Sequence, residues 1–250
     1  MESVEQQAVL IVADISGYTQ FMVSHKGALS HAQAVISELI RAIIKQVEIP
    51  LEVSKLEGDA VFLYAVKGEG AATWDEVRRQ VGTKLLSFFD VFADKIAELS
   101  GSNMCQCDAC THIDKLRLKL IVHSGQALFY TIGRFQELSG VDVILVHRLL
   151  KNSVESDQYI LMTEAGYRDV MFSGQIEVTE SQETYENIGP VKTYLYVPPG
   201  DETLYLEIQR AHHYDSTWYK VKNLALKMLH IVLAQLGLRK VPEYRHLPGI

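Results

Sequence analysis

The chain has 250 residues, of which 48% are hydrophobic and 22% charged, and this balance excludes a largely disordered protein. The length fits one domain with an appendage or two small domains. A formal net charge of -7 lacks the basic surplus of nucleic-acid-binding proteins, so we expect no nucleic-acid partner. No secretory pattern opens the chain, and no apolar run reaches the roughly 18 residues of a membrane span. With only three cysteines, we therefore expect a cytoplasmic protein without a membrane span.

Short apolar runs bounded by turn residues predict strands, and long runs with apolar residues on one side predict helices. In the first part of the chain these patterns predict a strand at Ala8 to Ala13, a helix at His31 to Val47, a hairpin of Leu51 to Leu56 with Ala60 to Val66, and a helix at Trp74 to Leu99. The hairpin turns at Glu57-Gly58-Asp59.

The second part continues with strands and shorter helices. The predicted elements are a hairpin of Leu116 to Val122 with Gln126 to Ile132 around His123-Ser124-Gly125, a helix at Val141 to Asn152, a strand at Tyr159 to Thr163, a short helix at Ala165 to Met171, and edge strands at Gln175 to Glu180 and Thr193 to Val197 around Gly189-Pro190. This order predicts an α+β domain, an antiparallel sheet with helices on one face, over residues 1–198. We expect residues 199–250 to form a C-terminal helical extension, with a helix at Thr217 to Leu236.

Two aspartates stand where a sheet could bring them together. Asp14 ends the first buried strand, and Asp59 lies at the tip of the first hairpin. If these strands are neighbours, both carboxylates lie at one end of the sheet, and Mg²⁺ prefers such hard oxygen ligands together with substrate phosphates. The alternative is that Asp14 caps the next helix and Asp59 serves the turn.

Four motifs in this order resemble the class III nucleotidyl cyclases, and the resemblance covers about residues 8 to 198. The motifs are Asp14-Ile15-Ser16-Gly17-Tyr18-Thr19, Lys55-x-x-Gly58-Asp59, Lys119 to Gly125, and Gly140 to Arg148. The chain is most similar to an uncharacterised bacterial branch that also carries a Cys-x-Cys-x-x-Cys loop. The resemblance implies the ferredoxin-like cyclase fold, ATP or a related nucleotide as substrate, and a head-to-tail homodimer with the site between the subunits.

The resemblance also implies roles for individual residues. Asp14 and Asp59 would hold two Mg²⁺ or Mn²⁺ ions, with help from the Ile15 carbonyl. The turn of Ile15, Ser16 and Gly17 would meet the substrate phosphates through its backbone amides. Such metals lower the pKa of the ribose 3′-hydroxyl and stabilise the leaving pyrophosphate.

The remaining matched positions would read the purine and stabilise charge. Lys55 matches the position that reads adenine, and Glu137 falls near a second purine-reading position. Arg148 matches the arginine that stabilises the transition state, and Lys119 stands where a phosphate-facing arginine is usual. The alternatives are that Lys55 is a solvated strand residue and that Arg148 pairs with a surface acid, Asp142 or Glu155.

Two positions depart from the family pattern. The asparagine that orients the ribose is replaced by Ile144, which has no hydrogen-bonding group. The loop that carries a phosphate-binding lysine reads Asn187-Ile188-Gly189-Pro190, with Lys192 out of register. Three hypotheses therefore stay open: an adenylate cyclase, a nucleotide- or metal-binding signalling module without turnover, and a structural protein whose C-terminal helix mediates assembly.

The loop before the second predicted hairpin carries soft metal ligands. Cys105, Cys107, Cys110 and His112 lie within eight positions, and Zn²⁺ takes four such ligands tetrahedrally. A reducing compartment favours metal binding over disulfides. We expect a small structural zinc site here; the alternatives are thiols without metal or a Cys107–Cys110 disulfide.

Overall fold

A computed structural model describes residues 3–24, 29–48, 50–67, 73–102, 107–174 and 176–198. In the C-terminal extension it describes only positions 217, 218, 221, 222 and 225, all of which are helical. The remainder of the predicted helix at Thr217 to Leu236 lies outside the described residues. Among the described helices, none is long and apolar enough to cross a membrane.

Eight strands form one sheet in the order β2-β3-β1-β4-β6-β8-β7, and β5 pairs with β4. The strands are β1 (Ser3–Ser16), β2 (Glu52–Glu57), β3 (Ala60–Val66), β4 (Arg117–Ile132), β5 (Phe135–Ser139), β6 (Tyr159–Thr163), β7 (Thr179–Tyr185) and β8 (Gly189–Tyr196). All pairs are antiparallel except β4 with β6. Two strands pair with the same edge of β4: residues 119–122 of β4 pair with β6, and residues 128–132 pair with β5.

Six helices flank the sheet: α1 (Tyr18–Ser24), α2 (Leu29–Lys45), α3 (Trp74–Gly101), α4 (Asp108–Thr111), α5 (Val141–Arg148) and α6 (Glu164–Asp169). The odd positions of β1, from Val9 to Ile15, pack with α2 and α3 in the larger core. The even positions, Ala8, Leu10 and Val12, pack with α5 in a second core on the opposite face. Because successive side chains of β1 point to opposite faces of the sheet, each face packs against its own set of helices.

The predicted α+β class is confirmed, and so is the first hairpin. Two details of the prediction change. The pair β4–β6 is parallel because the chain crosses over through α5, and α5 covers the sheet face opposite α2 and α3. A short helix whose one side is apolar gives no sequence cue to the face it will cover.

The predicted hairpin around His123-Ser124-Gly125 is wrong. These residues lie inside the continuous strand β4, where His123 pairs with Leu10 and Gly125 pairs with Ala8. The true turn is at Gly133-Arg134, between β4 and β5. Glycine is required inside the strand, because a β-carbon on Gly125 would lie 2.2 Å from the carboxyl carbon of Asp142.

The final hairpin is also displaced from its prediction. Gly189 and Pro190 open β8 instead of forming the turn, and Tyr185 pairs with Gly189 across the loop. Asn187 in that loop has φ of 66°, a left-handed conformation that asparagine tolerates better than most residues. The predicted strand at Gln175 to Glu180 begins later, at Thr179.

Candidate functional site

Asp14 and Asp59 meet at one end of the sheet. Asp14 on β1 pairs with Ala60, the first residue of β3, and Asp59 lies immediately before it in the β2–β3 turn. Gly58, with φ of 70°, occupies the first position of this two-residue turn, where glycine permits a type II′ geometry. The two carboxyl groups lie close enough for the negative charge of Asp14 to raise the pKa of Asp59. The spacing of the two strands therefore produces the acidic pair that the sequence predicts.

The pair is costly to ionise completely. Burial raises the pKa of Asp59, the negative charge of Asp14 raises it further, and the result is about 7. Two adjacent carboxyl groups usually share one proton, because two negative charges so close together repel each other. A divalent cation would relieve the same repulsion with oxygen ligands that it prefers. The donor set thus fits Mg²⁺ or Mn²⁺.

Lys119 supplies the positive charge beside this pair. It lies opposite Asp14 on β4, and its Nζ donates to Asp14 Oδ2 at 2.8 Å. Burial alone would lower the pKa of Lys119, but the hydrogen bond to Asp14 and the negative charges of Asp14 and Asp59 together outweigh burial, and the pKa is raised. The ammonium group is therefore held charged at the carboxylates, where a phosphate oxygen would also meet it.

The turn after Asp14 is tightly defined. Ile15 and Ser16 are buried, and Gly17 has φ of 84°, a region that L side chains rarely adopt. The Gly17 carbonyl accepts from Phe21 N at 2.8 Å and starts α1. Gly17 also packs against the backbone of Lys115, the residue that leads into β4.

A second cluster of charged side chains contains Lys55 on β2. Its Nζ lies 3.2 Å from Glu57 Oε1 and 3.6 Å from Glu137 Oε2, so the two purine-reading positions inferred from the sequence form an ion pair. Burial lowers the pKa of Lys55, yet the two carboxylates more than compensate and raise it. A bulge between Val53 and Lys55 shifts the register of β2 and so decides where Lys55 points.

Glu57 is more than the turn residue that its sequence position indicates. It also contacts His147 on α5, with 3.0 Å between Glu57 Oε2 and His147 Nε2. His147 Nδ1 lies 2.7 Å from the Val143 carbonyl, and its ring packs edge-on against Phe62. The β2–β3 hairpin is thereby tied to α5.

The start of α5 is fixed by a second missed interaction. His123 Nε2 lies 3.0 Å from Asp142 Oδ1, and Gln126 N donates to Asp142 Oδ2 at 2.6 Å. His123 Nδ1 lies 2.8 Å from the hydroxyl of Thr163 on β6. Asp142 is thus engaged at the sheet and is not the partner of Arg148. The sequence signal for these contacts is the motif His123-Ser124-Gly125. Because this motif resembles a turn, its position inside a strand could not be inferred from the sequence.

The outer surface of α5 faces solvent. Ile144 is 54% exposed, Val141 is 72% exposed, and Arg148 is also exposed. Within the described ranges, no hydrogen bond or ion pair joins Arg148 to Asp14 or Asp59. One chain therefore brings the acidic pair, Lys119, Lys55 and Glu137 to the sheet and leaves Ile144 and Arg148 available to a neighbour.

The cysteine loop meets α2. Cys107, Cys110 and His31 bring their ligand atoms within 4.8 Å of one another. His112 lies elsewhere, with Nδ1 3.3 Å from the Thr111 hydroxyl. Cys105 falls outside the described residues. No disulfide joins Cys107 to Cys110.

Sequence comparisons give relatives without an assigned activity. Residues 36–159 match a family described as a protein of unknown function, DUF2652. An uncharacterized protein of Mycobacterium tuberculosis, Rv2561/Rv2562, is 29% identical over 159 residues, which cover 64% of this chain and 71% of that protein.

Solved structures give a consistent fold. The adenylyl cyclase CyaB of P. aeruginosa superimposes with a TM-score of 0.58 at 16% identity, covering 79% of this chain and 97% of that one. The guanylyl cyclase Cya2 gives 0.60 at 13% identity, covering 80% and 96%. The catalytic core of a rhodopsin-guanylyl cyclase in complex with ATPalphaS gives 0.55 at 15%, covering 78% and 98%. This chain therefore has the fold of class III adenylyl and guanylyl cyclase domains.

Proposed function

We propose that this protein is a metal-dependent nucleotidyl cyclase that converts ATP to cyclic AMP and pyrophosphate as a homodimer. One observation carries the proposal: the carboxyl groups of Asp14 and Asp59 meet at one end of the sheet, with the Lys119 ammonium 2.8 Å from Asp14 Oδ2. Two hard ligands beside a cation fit a metal–triphosphate better than they fit a helix cap and a turn.

The acidic pair would hold two Mg²⁺ or Mn²⁺ ions. Such ions lower the pKa of a ribose hydroxyl and neutralise charge on a leaving pyrophosphate. Asp14 and Asp59 bind and orient, since their positions are fixed by the β1–β3 register. Lys119 would hold a phosphate oxygen when the metals occupy the carboxylates, and the turn of Ser16 and Gly17 would contribute backbone amides.

Lys55 and Glu137 would bind the adenine edge. An ammonium donates to the ring N1, and a carboxylate accepts from the exocyclic amine. Their separation of 3.6 Å keeps both groups in one place, and Glu57 holds Lys55 from the other side. Loss of Glu57 is expected to disturb purine binding through Lys55 and the position of α5 through His147.

The complete site needs a second copy of the chain. Arg148 is exposed at the end of α5, and an arginine that stabilises charge must reach the reacting phosphate. A head-to-tail dimer would place Arg148 of one subunit against the acidic pair of the other. The exposed apolar residues Val141 and Ile144 beside it suit a surface that becomes covered.

A nucleotide-binding module without turnover is the second candidate. The observation that favours it is Ile144, which is 54% exposed and stands where the resemblance calls for a ribose-orienting asparagine. Isoleucine cannot donate or accept a hydrogen bond, so a bound ribose would be held less firmly. A binding protein tolerates that loss better than an enzyme does.

Calorimetry with ATP and Mn²⁺ followed by a cyclic-AMP assay separates these candidates. We expect binding and cyclic product from the wild type, both abolished in Asp59→Asn and both retained in Asp157→Asn, a matched change at an exposed acid. Binding without product supports the module, and in that case Ile144→Asn tests whether the missing amide is the reason. Failure of the wild type to bind either metal or nucleotide overturns the proposal.

A further inference from the structure

We propose that His31, Cys107 and Cys110 form a zinc site that joins α2 to the segment preceding β4. His31 lies near the beginning of α2, Cys107 precedes α4, and Cys110 lies within α4. This ligand set differs from the one that the sequence predicts, because the structure places an imidazole from a distant helix beside the two thiols. His112 is directed instead towards Thr111.

The distances fit one shared tetrahedral ion. Zn–S bonds of about 2.3 Å and Zn–N bonds of about 2.0 Å give tetrahedral S···N edges of about 3.5 Å and S···S edges of about 3.8 Å. Cys107 Sγ lies 3.5 Å from His31 Nδ1, and all three ligand atoms lie within 4.8 Å of one another. Small side-chain rotations would suffice to complete the coordination.

The chemistry of the donors selects zinc over the metals of the acidic pair. Thiolate and imidazole are soft or borderline ligands that favour Zn²⁺, whereas carboxylates favour Mg²⁺ and Mn²⁺. The cysteines are half-buried and His31 is exposed, so an ion can reach them from solvent. The protein thus has two metal-binding regions of different hardness.

The backbone around these ligands is held before any ion binds. Ala32, next to His31, and Ala109, between the two cysteines, are both fully buried in the larger core. Their small side chains let α4 approach α2 closely. A prearranged ligand set loses less conformational entropy on binding, and so binds its metal more tightly.

A zinc ion here would cross-link distant parts of the chain. His31 and Cys107 are 76 positions apart, and closing so long a loop restricts the unfolded chain strongly. The segment after the cysteines continues through a 3-10 turn at Ile113–Lys115, whose last residue packs against Gly17. The metal would therefore stabilise the support beneath the turn that follows Asp14.

The test measures metal content of the full chain, purified under reducing conditions without added chelator. We expect about one zinc per chain in the wild type. We expect near-complete loss in His31→Asn, Cys107→Ser and Cys110→Ser, and retention in the matched control His112→Asn. Circular dichroism of each variant shows whether it is folded.

Cobalt substitution gives a readout that does not depend on variants. Wild-type protein stripped of zinc and loaded with Co²⁺ should show thiolate charge-transfer absorption and the visible bands of a tetrahedral site, and zinc should displace it. Three outcomes overturn the proposal: no uptake of zinc or cobalt, stoichiometric iron or copper in place of zinc, or metal loss in His112→Asn with retention in His31→Asn.

Discussion

The protonation of Asp59 is strongly changed by its surroundings. Burial and the charge of Asp14 raise its pKa from 3.8 to about 7, while Lys119 opposes the shift. Between about pH 4 and pH 7, the Asp59 carboxyl group is therefore mostly neutral in the folded protein and mostly ionised in the unfolded chain. By linkage, the stability that this difference contributes is complete below pH 4 and is lost as the pH rises through 7.

This sign gives a testable pH dependence. In metal-free buffer, the free energy of unfolding of the wild type relative to Asp59→Asn should fall between about pH 4 and pH 7 and then level off. Urea unfolding of both proteins across this range, with a chelator present, measures the difference. Parallel curves for the two proteins would show that Asp59 titrates normally.

We expect Lys119 to compete with a metal ion for Asp14. Its ammonium lies 2.8 Å from Asp14 Oδ2, so a cation approaching the pair meets both repulsion and a ligand already engaged. We expect Lys119→Gln to bind Mn²⁺ several-fold more tightly without nucleotide and to bind ATP more weakly. Calorimetry measures both affinities. Weaker Mn²⁺ binding in the variant would mean that Lys119 supports the carboxylates instead of competing.

Residue patterns could predict the acidic pair but not every contact around the site. Asp14 follows a buried apolar run and Asp59 follows Gly58, and both cues are local. The contact of Glu57 with His147 joins residues 90 positions apart, and no local pattern in the sequence indicates it. His31 and Cys107 are likewise 76 positions apart and come together only through the packing of the fold.

At the level of elements, α3 and the segment after α6 are packed backbone against backbone. A β-carbon on Gly82 would lie 2.1 Å from the carbonyl oxygen of Met171, and Met171 N donates to the Arg78 carbonyl at 3.2 Å. Backbone cannot rotate away as a side chain can. Gly82 therefore permits an approach that no other residue would.

The consequence is an exception to helix propensity. Gly→Ala in a helix ordinarily stabilises by about 1 kcal/mol, but overpacking costs about 1–3 kcal/mol. We expect Gly82→Ala to destabilise the protein, and Thr83→Ala, at the exposed neighbouring position, to change stability by only a few tenths of a kcal/mol. Chemical denaturation measures both. A stabilised Gly82→Ala would show that α3 can move away from Met171.

The longer elements followed from hydrophobic periodicity, whereas the element ends and the short elements α1, α4 and β5 did not. The run from Leu116 to Ile132 contains Ser124 and Gly125, which imitate a turn, although the glycine is there to admit the Asp142 carboxylate. Similarly, Gly189 and Pro190 imitate a turn but open β8, which lies between β6 and β7 in the sheet. A residue chosen for tertiary packing is indistinguishable, within the sequence, from one chosen for local backbone geometry.

At the level of the whole molecule, the proposed site divides its residues between two chains. Asp59 belongs to the sheet end, whereas Arg148 is exposed on α5. If two copies complete each other, Asp59→Asn and Arg148→Ala should each lack cyclase activity alone. Their mixture should recover roughly a quarter of wild-type sites, since mixed dimers keep one intact site. Absence of recovery after confirmed subunit exchange would contradict a shared site.

The fold of the described chain was within reach of the sequence because its core strands are unbroken apolar runs. The side of the sheet that α5 covers was not, since it depends on crossover geometry.

The position of β4 has a wider consequence. Asp14 aligns with Lys119 at one end of this strand, and Tyr130 aligns with Glu137 near the other. A slip of β4 by a single residue would turn Lys119 to the wrong face and carry the β5 arm with it. Insertions within residues 119–130 should therefore abolish cation and purine recognition together, whereas insertions in the Gly133-Arg134 turn should leave cation binding intact.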